Sequence, residues 1–309
     1  MATPSCPNRC RIVPLPEHRA RFEMDGQERL AWYHGSNYPR PFFYPLRGPN
    51  GHTLTRMGHP GAPSHEHHRS IWFAHQSVAG RNFWEDGKGT VIRQRQWLCY
   101  QDGPSEAVMA VALEWMDGNH PKPLVEHELI VAVQPCGRNE TLVELQSTFV
   151  PTAAQLEFGK TNFGFLGVRV AKCVSAYFGN GVLADSAGRL GEPAIFGREA
   201  RWVDYSGTVG TSVRPADGGI TYFDYPENPG YPNHWHVRGD GWMAASPCMQ
   251  AALVTTRAKP LVLRFLLHAH GGPLNAKVAR DLASRFARRR RMRLVRAPSP
   301  HVQYAVERI

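Results

Sequence analysis

Four segments, Thr90–Gln101, Glu106–Met116, Leu124–Gln134 and Thr141–Val150, follow one another in series, each parted from the next by a short stretch holding Gly, Pro or Asn. Runs of that length and spacing predict an antiparallel meander. Upstream, Arg21–Met24 and Glu28–Tyr33 flank Asp25-Gly26, a hairpin signal. Phe42–Leu46 and His52–Arg56 flank the turn cluster Gly48-Pro49-Asn50-Gly51. Ala251–Thr256 and Leu261–His270 resume the pattern near the C-terminus. The last of these is the clearest strand. Leu261, Leu263, Phe265, Leu267 and Ala269 fall on one face, and Val262, Arg264, Leu266, His268 and His270 on the other. A wholly apolar face at period two has to pack on a core. Gly (29) and Pro (25) punctuate the chain too often for long helices to dominate. One helix is predicted, over Pro273–Arg291, where Leu274, Val278, Leu282 and Phe286 recur every four residues. The expected fold is a large all-β antiparallel sandwich with one C-terminal helix. It is read as a single domain over 1–309, with an extended N-terminal segment at 1–19 and a basic C-terminal helix over 273–296.

Composition excludes several classes. No apolar stretch approaches the roughly 18 residues of a membrane helix, and Met1–Pro16 has no apolar core of a secretory signal. The cysteines at 6, 10, 99, 136, 173 and 248 form no paired CxxC motif, so free thiols in a reducing cytoplasm are expected. The net charge is +10, but seven arginines lie within Arg285–Arg296, and without them it falls to +3. One C-terminal run without interleaved aromatics reads as a solvated surface segment and argues against a nucleic-acid partner. No GxGxxG, GxxxxGK[ST], GxSxG or HExxH motif is present, so nucleotide cofactors, phosphoryl transfer and serine hydrolysis lose support.

The chemistry is concentrated in histidine. Six of the fifteen histidines lie within His52–His75, the densest piece being Ser64-His65-Glu66-His67-His68-Arg69. Two further pairs share a spacing, His234-Trp235-His236 and His268-Ala269-His270. On an extended backbone, residues i and i+2 point to one side, so each pair can present two imidazoles to one ion or substrate. Packed imidazoles beside a guanidinium repel when charged unless a carboxylate, ion or substrate offsets them. Polar sugar recognition competes with metal binding, because His, Arg, Asp and Trp also build carbohydrate pockets. Asp204 stands between aromatics in Trp202-Val203-Asp204-Tyr205, and Glu85 follows Trp84 in Asn82-Phe83-Trp84-Glu85. Asp224 lies in the proline-restricted run Phe223–Pro229 that leads to His234.

Several blocks together resemble the PmoA-like family: Pro41–Gly51, Ser64–Phe73, Asn82–Trp84, Phe163–Ala171, Trp202–Gly207, Phe223–Pro229, His234–Arg238 and His268–Gly271. The family takes its name from a subunit of membrane-integral methane monooxygenase, and the absence of a membrane span excludes that activity here. The resemblance implies a β supersandwich of the galactose-mutarotase type and a place in carbohydrate metabolism. This chain departs from the pattern in two places. Ser64 stands where Asp is usual. In Phe158–Gly164, Lys160 replaces an acidic residue and Asn162-Phe163 a Lys-Glu pair. Both changes remove carboxylates.

The expectation is therefore a protein acting on a sugar or oxidised sugar, as a lyase, hydrolase or epimerase, through a His-rich groove. His65, His67, Glu85 and Asp204 are the candidate acid–base residues. Arg69, Trp84, Trp202, Asp224, Arg238, His268 and His270 are the candidate substrate contacts. A divalent metal would be held by His65, His67, His68, His234 and His236, and His268 and His270 are expected to face the same groove. The alternatives are a non-catalytic sugar-binding protein with a degenerate site, and an interaction protein using its arginine run.

Overall fold

A computed structural model describes residues 9–59, 65–137, 139–211, 214–298 and 300–309. Ser64 and Cys6, both named above, lie outside the described residues. Strand accounts for 52% of the structure and helix for 7%, so the all-β expectation holds. In chain order the strands are β1 (Cys10–Leu15), β2 (Arg19–Met24), β3 (Gln27–Tyr33), β4 (Phe42–Leu46), β5 (Ile71–His75), β6 (Val91–Gln101) and β7 (Ala107–Met116). They continue with β8 (Val125–Cys136), β9 (Glu140–Pro151), β10 (Gln155–Phe158), β11 (Gly164–Arg169), β12 (Val182–Asp185), β13 (Trp202–Thr211) and β14 (Arg214–Asp224). The last six are β15 (Trp235–Arg238), β16 (Trp242–Ala245), β17 (Leu253–Thr256), β18 (Leu261–Gly271), β19 (Met292–Arg296) and β20 (Tyr304–Arg308). The helices are a single turn, α1 (Glu192–Ile195), and α2 (Ala276–Ala287).

Two eight-stranded antiparallel sheets pack face to face. The first runs β1-β2-β3-β4-β5-β11-β16-β15, the second β12-β13-β14-β18-β9-β8-β7-β6. The β6-to-β9 stretch is the meander expected from turn spacing. Asp25 and Gly26 both take positive φ, as the β2–β3 hairpin requires. His52–Arg56 forms only isolated bridges, Arg47 with Thr53 and Thr55 with Val170, because it crosses between strands rather than pairing along one.

Alternation assigns each strand an inner and an outer face. On β18, Leu263, Phe265, Leu267 and Ala269 are wholly buried in the core between the sheets. Burying each of the larger ones contributes about 1.5–3 kcal/mol. The sheets meet through Phe73 and Phe149, with ring centroids 6.3 Å apart, and through Tyr222 and Trp235, 4.9 Å apart. The outer face of the second sheet is covered in two places. Ala279, Leu282 and Phe286 of α2 pack on Trp202, Phe223, Tyr225 and Leu266. The β19–β20 hairpin places Met292 over Val108, Ala110, Ile130 and Ala132.

The helix is shorter than the sequence reading placed it. Asn275 caps α2 by accepting from the backbone N–H groups of Lys277 and Val278. After Phe286 the four-residue apolar spacing stops, and Met292–Arg296 is strand, so the expected basic helix over 273–296 ends at Ala287. The arginine run is not wholly solvated either. Arg289 donates to Glu106 and Gln134, each at 2.9 Å, and stands 2.9 Å from the buried Glu144. Among the described residues, no helix is long and apolar enough to cross a membrane.

Candidate functional site

The outer face of the first sheet carries an aromatic floor. Trp72 on β5 and Trp242 on β16 flank Gly167 on β11, with ring centroids 5.1 Å apart. Gly167 is required there, since a Cβ would lie 2.4 Å from Trp242 Cη2 and 3.0 Å from Trp72 Cζ2. Trp84 completes the floor, 5.4 Å from Trp72 and 5.1 Å from Trp242. The Asn82 side chain positions it by accepting from the backbone N–H groups of Trp84 and Glu85. Tyr38, Tyr44, Met57 and Phe163 pack around this cluster.

The histidine cluster lies on that floor. The backbone is a turn rather than a strand, with the His68 N–H donating to the His65 carbonyl at 3.0 Å, so the i/i+2 argument does not apply to His65 and His67. The turn still gathers the rings. His68 is 4.3 Å from His67 and 5.0 Å from His65, and it stacks on Trp72 at 5.4 Å and Trp242 at 5.2 Å. His236 joins from β15, 5.7 Å from Trp242 and 4.8 Å from Phe163, its Nδ1 hydrogen-bonded to the Asn162 carbonyl. The indole N–H groups of Trp72, Trp84 and Trp242 and the Nδ1 of His68 have no hydrogen-bond partner among the described residues.

Burial keeps His67, His68 and His236 neutral. Burial, reinforced by Arg40, pushes His67 down to about 4, and burial with Arg238 does the same for His236. Burial and the neighbouring His67 and Arg169 hold His68 far below its ordinary value. The charges around the cluster are paired among themselves. Arg69 donates to both oxygens of Asp86, at 3.2 and 2.5 Å, and Arg40 stands 3.0 Å from the same carboxylate. On the other flank, Arg169 holds Asp240 through two bonds of 2.8 and 3.0 Å.

The structure thus brings His65, His67, His68, Arg69, Trp84 and His236 together. Arg238 stands nearby, its guanidinium over Phe196 and bonded to Glu192, while Phe196 meets His236 edge-on. Glu85 is tied to Lys88 and Asn82, and those bonds lower its pKa, so it lacks the desolvated character expected of an acid. His234 turns aside toward Glu199, 3.9 Å away. The expected five-histidine metal set does not converge. Among the described residues, only Cys136, Glu140 and His268 bring three ligand atoms within 4.8 Å of one another.

The remaining predicted residues lie elsewhere. Trp202, Asp204, His268 and His270 belong to the second sheet and point outward from it, so the whole sandwich separates them from His65–His68, by more than the ~10 Å between sheets. The single shared groove is therefore corrected to two opposite faces. Asp204 is wholly buried and accepts from Ser206, Thr221 and His270 at 2.8, 2.7 and 2.8 Å. Asp224 is a loop-shaping residue that accepts from Tyr225, Asn228 and Asn233, and burial raises its pKa to about 6 against those bonds. Sequence reasoning missed Trp72, Trp242, Phe163 and Asp86. Trp72 was within reach, standing four residues after His68 in an apolar run.

No curated protein matches the chain at a significant level. Among solved structures it is distantly similar to a GalM/aldose epimerase homologue from C. elegans, at 8% identity, covering 86% of this chain and 99% of that one, with a TM-score of 0.32. The model of a family of unknown function, DUF6807, matches residues 19–284. That match spans most of the chain, which therefore belongs to the DUF6807 family.

Proposed function

We propose that this protein binds a sugar or keto-sugar at the His65–His68 cluster that overlies the buried Trp72–Trp84–Trp242 floor and acts on it by proton transfer, in the manner of an epimerase, lyase or hydrolase. One observation carries the reading: a cluster of imidazoles at an outer sheet face, kept uncharged at His67, His68 and His236, with His68 stacked on Trp72 and Trp242 and edge-on to Trp84. A neutral imidazole can both donate and accept a hydrogen bond, which matches a hydroxyl group, and the buried indoles beneath hold the rings in place. The same pairing disfavours acidic sugars, because Arg69, Arg40 and Arg169 are already engaged with Asp86 and Asp240. His65 and His67 are the acid–base pair of this reading. Asp204 has no part in it, and Glu85 at most a rim position. The PmoA-like resemblance and its association with sugar pathways support the same reading. Free thiols at all five described cysteines fit a cytoplasmic setting.

A non-catalytic sugar-binding role is the second reading, and Phe163 favours it. Phe163 stands at the floor, 5.6 Å from Trp84, in the segment where relatives are expected to carry a carboxylate.

Tryptophan fluorescence titration with neutral monosaccharides, glycosides, 3-keto-glycosides and uronates tests the proposal. Saturable binding of a neutral sugar, lost in His67→Ala with stability changed by less than about 1 kcal/mol, is expected. Turnover of the bound sugar separates enzyme from binding protein. Binding of uronates alone, or binding unchanged in His65→Ala and His67→Ala, refutes the site.

A further inference from the structure

The opposite face of the sandwich carries a second constellation. Cys136 ends β8 and Glu140 begins β9, directly paired across the hairpin. His268 on β18 reaches the same spot, its Nε2 2.9 Å from Glu140 Oε2. The other carboxylate oxygen, Oε1, accepts from the Gly271 N–H at 3.1 Å, which fixes the orientation of the group. The three side chains line a cavity of about 840 Å³, walled on its far side by Pro273–Ala276 and Arg285. His270 lines it too, 5.2 Å from His268 and tethered to the buried Asp204.

We propose that Cys136, Glu140 and His268 form a Zn²⁺ site, open toward this cavity and independent of the tryptophan face. One thiolate, one carboxylate and one imidazole are a ligand set that zinc accepts, and three protein ligands leave a fourth position free for water or a small ligand. The ligand atoms lie within 4.8 Å of one another; to reach the roughly 3.3–3.6 Å separations that zinc bond lengths of about 2.0–2.3 Å set in a tetrahedral site, the 2.9 Å His268–Glu140 pair opens slightly and the Cys136 sulfur draws in. The Gly271 amide supplies the outer hydrogen bond that holds a ligating carboxylate in place. His270 does not ligate, because its Nε2 is committed to Asp204. Its Nδ1 is turned to the Gly271 carbonyl, 3.4 Å away, so it lines the cavity without a free ring nitrogen. Zinc ligands bind in their deprotonated forms, so loading releases protons and binding strengthens as pH rises.

Zinc titration of the metal-free full chain, with Co²⁺ as a spectroscopic substitute, tests the site. One Zn²⁺ per chain at micromolar affinity is expected, and Co²⁺ should give a near-ultraviolet thiolate-to-metal charge-transfer band. Cys136→Ser should abolish the band. Cys136→Ser and His268→Gln should each weaken Zn²⁺ binding by more than the roughly 10–100-fold that losing an outer partner costs. The His65→Ala/His67→Ala double variant should bind as the parent does. Circular dichroism checks each fold, and Glu140→Gln serves as a further ligand variant should either substitution fail to fold. No saturable micromolar binding, a cobalt band that survives Cys136→Ser, or binding lost only in the His65/His67 variant would each overturn the proposal.

Discussion

Lowering the pH from 7.5 to 5.0 should destabilise this protein by several kcal/mol. His75, His127 and His236 are 0, 1 and 2% exposed, and burial sets their native pKa values at about 3, 3 and 4. In the unfolded chain each titrates near 6.5. A base depressed in the native state contributes stability above its unfolded pKa and loses it as pH falls toward the native value. Each pH unit below 6.5 costs about 1.4 kcal/mol per group. Between pH 6.5 and 5.0 the three together lose about 6 kcal/mol, and His34, His67 and His68 add in the same direction. Three groups oppose this: Asp224, His270 and Glu128, the last raised by burial. Asp224, raised to about 6, gives stability that is present in acid and lost as pH rises, returning about 1.4 kcal/mol between pH 6 and 5. At His270, burial is outweighed by Asp204, so its raised pKa acts in the same sense as Asp224. The net loss is at least about 4 kcal/mol, against a typical total of 5–15 kcal/mol. At an m-value of about 3 kcal/mol per M, the urea midpoint should drop by at least about 1.3 M. Urea unfolding at both pH values, followed by fluorescence and circular dichroism with m held constant, measures it. A midpoint unchanged or raised at pH 5.0 would mean the imidazoles are charged in the native protein, and the neutral-histidine site would fall with it.

Further outcomes test other parts of the structure. Gly167→Ala should cost about 1–3 kcal/mol by forcing Trp242 and Trp72 off their positions, and should weaken sugar binding more than it alters circular dichroism. Asp204→Ala should cost about 3–5 kcal/mol in urea unfolding, because three buried donors lose their acceptor, while the tryptophan response to sugar stays as in the parent. Glu144→Ala should destabilise by a similar amount. It leaves Arg264, 1% exposed and 2.7 Å away, without its carboxylate, and Arg289 and Arg308 each lose an ion-pair partner.

What the sequence disclosed and what it withheld follow from how far each signal reaches. Alternation is a local signal, and it placed β18 almost to the residue and sorted Leu263, Phe265 and Leu267 inward from His268 and His270 outward. Turn chemistry is local as well; it marked the β2–β3 hairpin at Asp25-Gly26 and, through Gly48–Gly51, the end of β4. A sandwich, however, has two outward directions. Parity separates inside from outside and says nothing about which outer surface a strand faces, because that depends on sheet membership, which pairing partners far along the chain decide. β18 lies beside β14 and β9, whereas β5 lies beside β11. Hence histidines with the same local pattern were read as one groove, while their sheets place them on opposite faces. The same reasoning accounts for the missed Cys136–Glu140 pair. Across a tight hairpin, residues four apart become direct neighbours, so the Cys-x-x-x-Glu spacing around Gly137 and Asn139 was a readable sign once the β8 and β9 segments were recognised as adjacent. His268 was not readable from that sign, since it arrives from about 130 residues away through the β9–β18 register. A site assembled from one hairpin and one distant strand is half local, and only the hairpin half leaves its mark on the sequence.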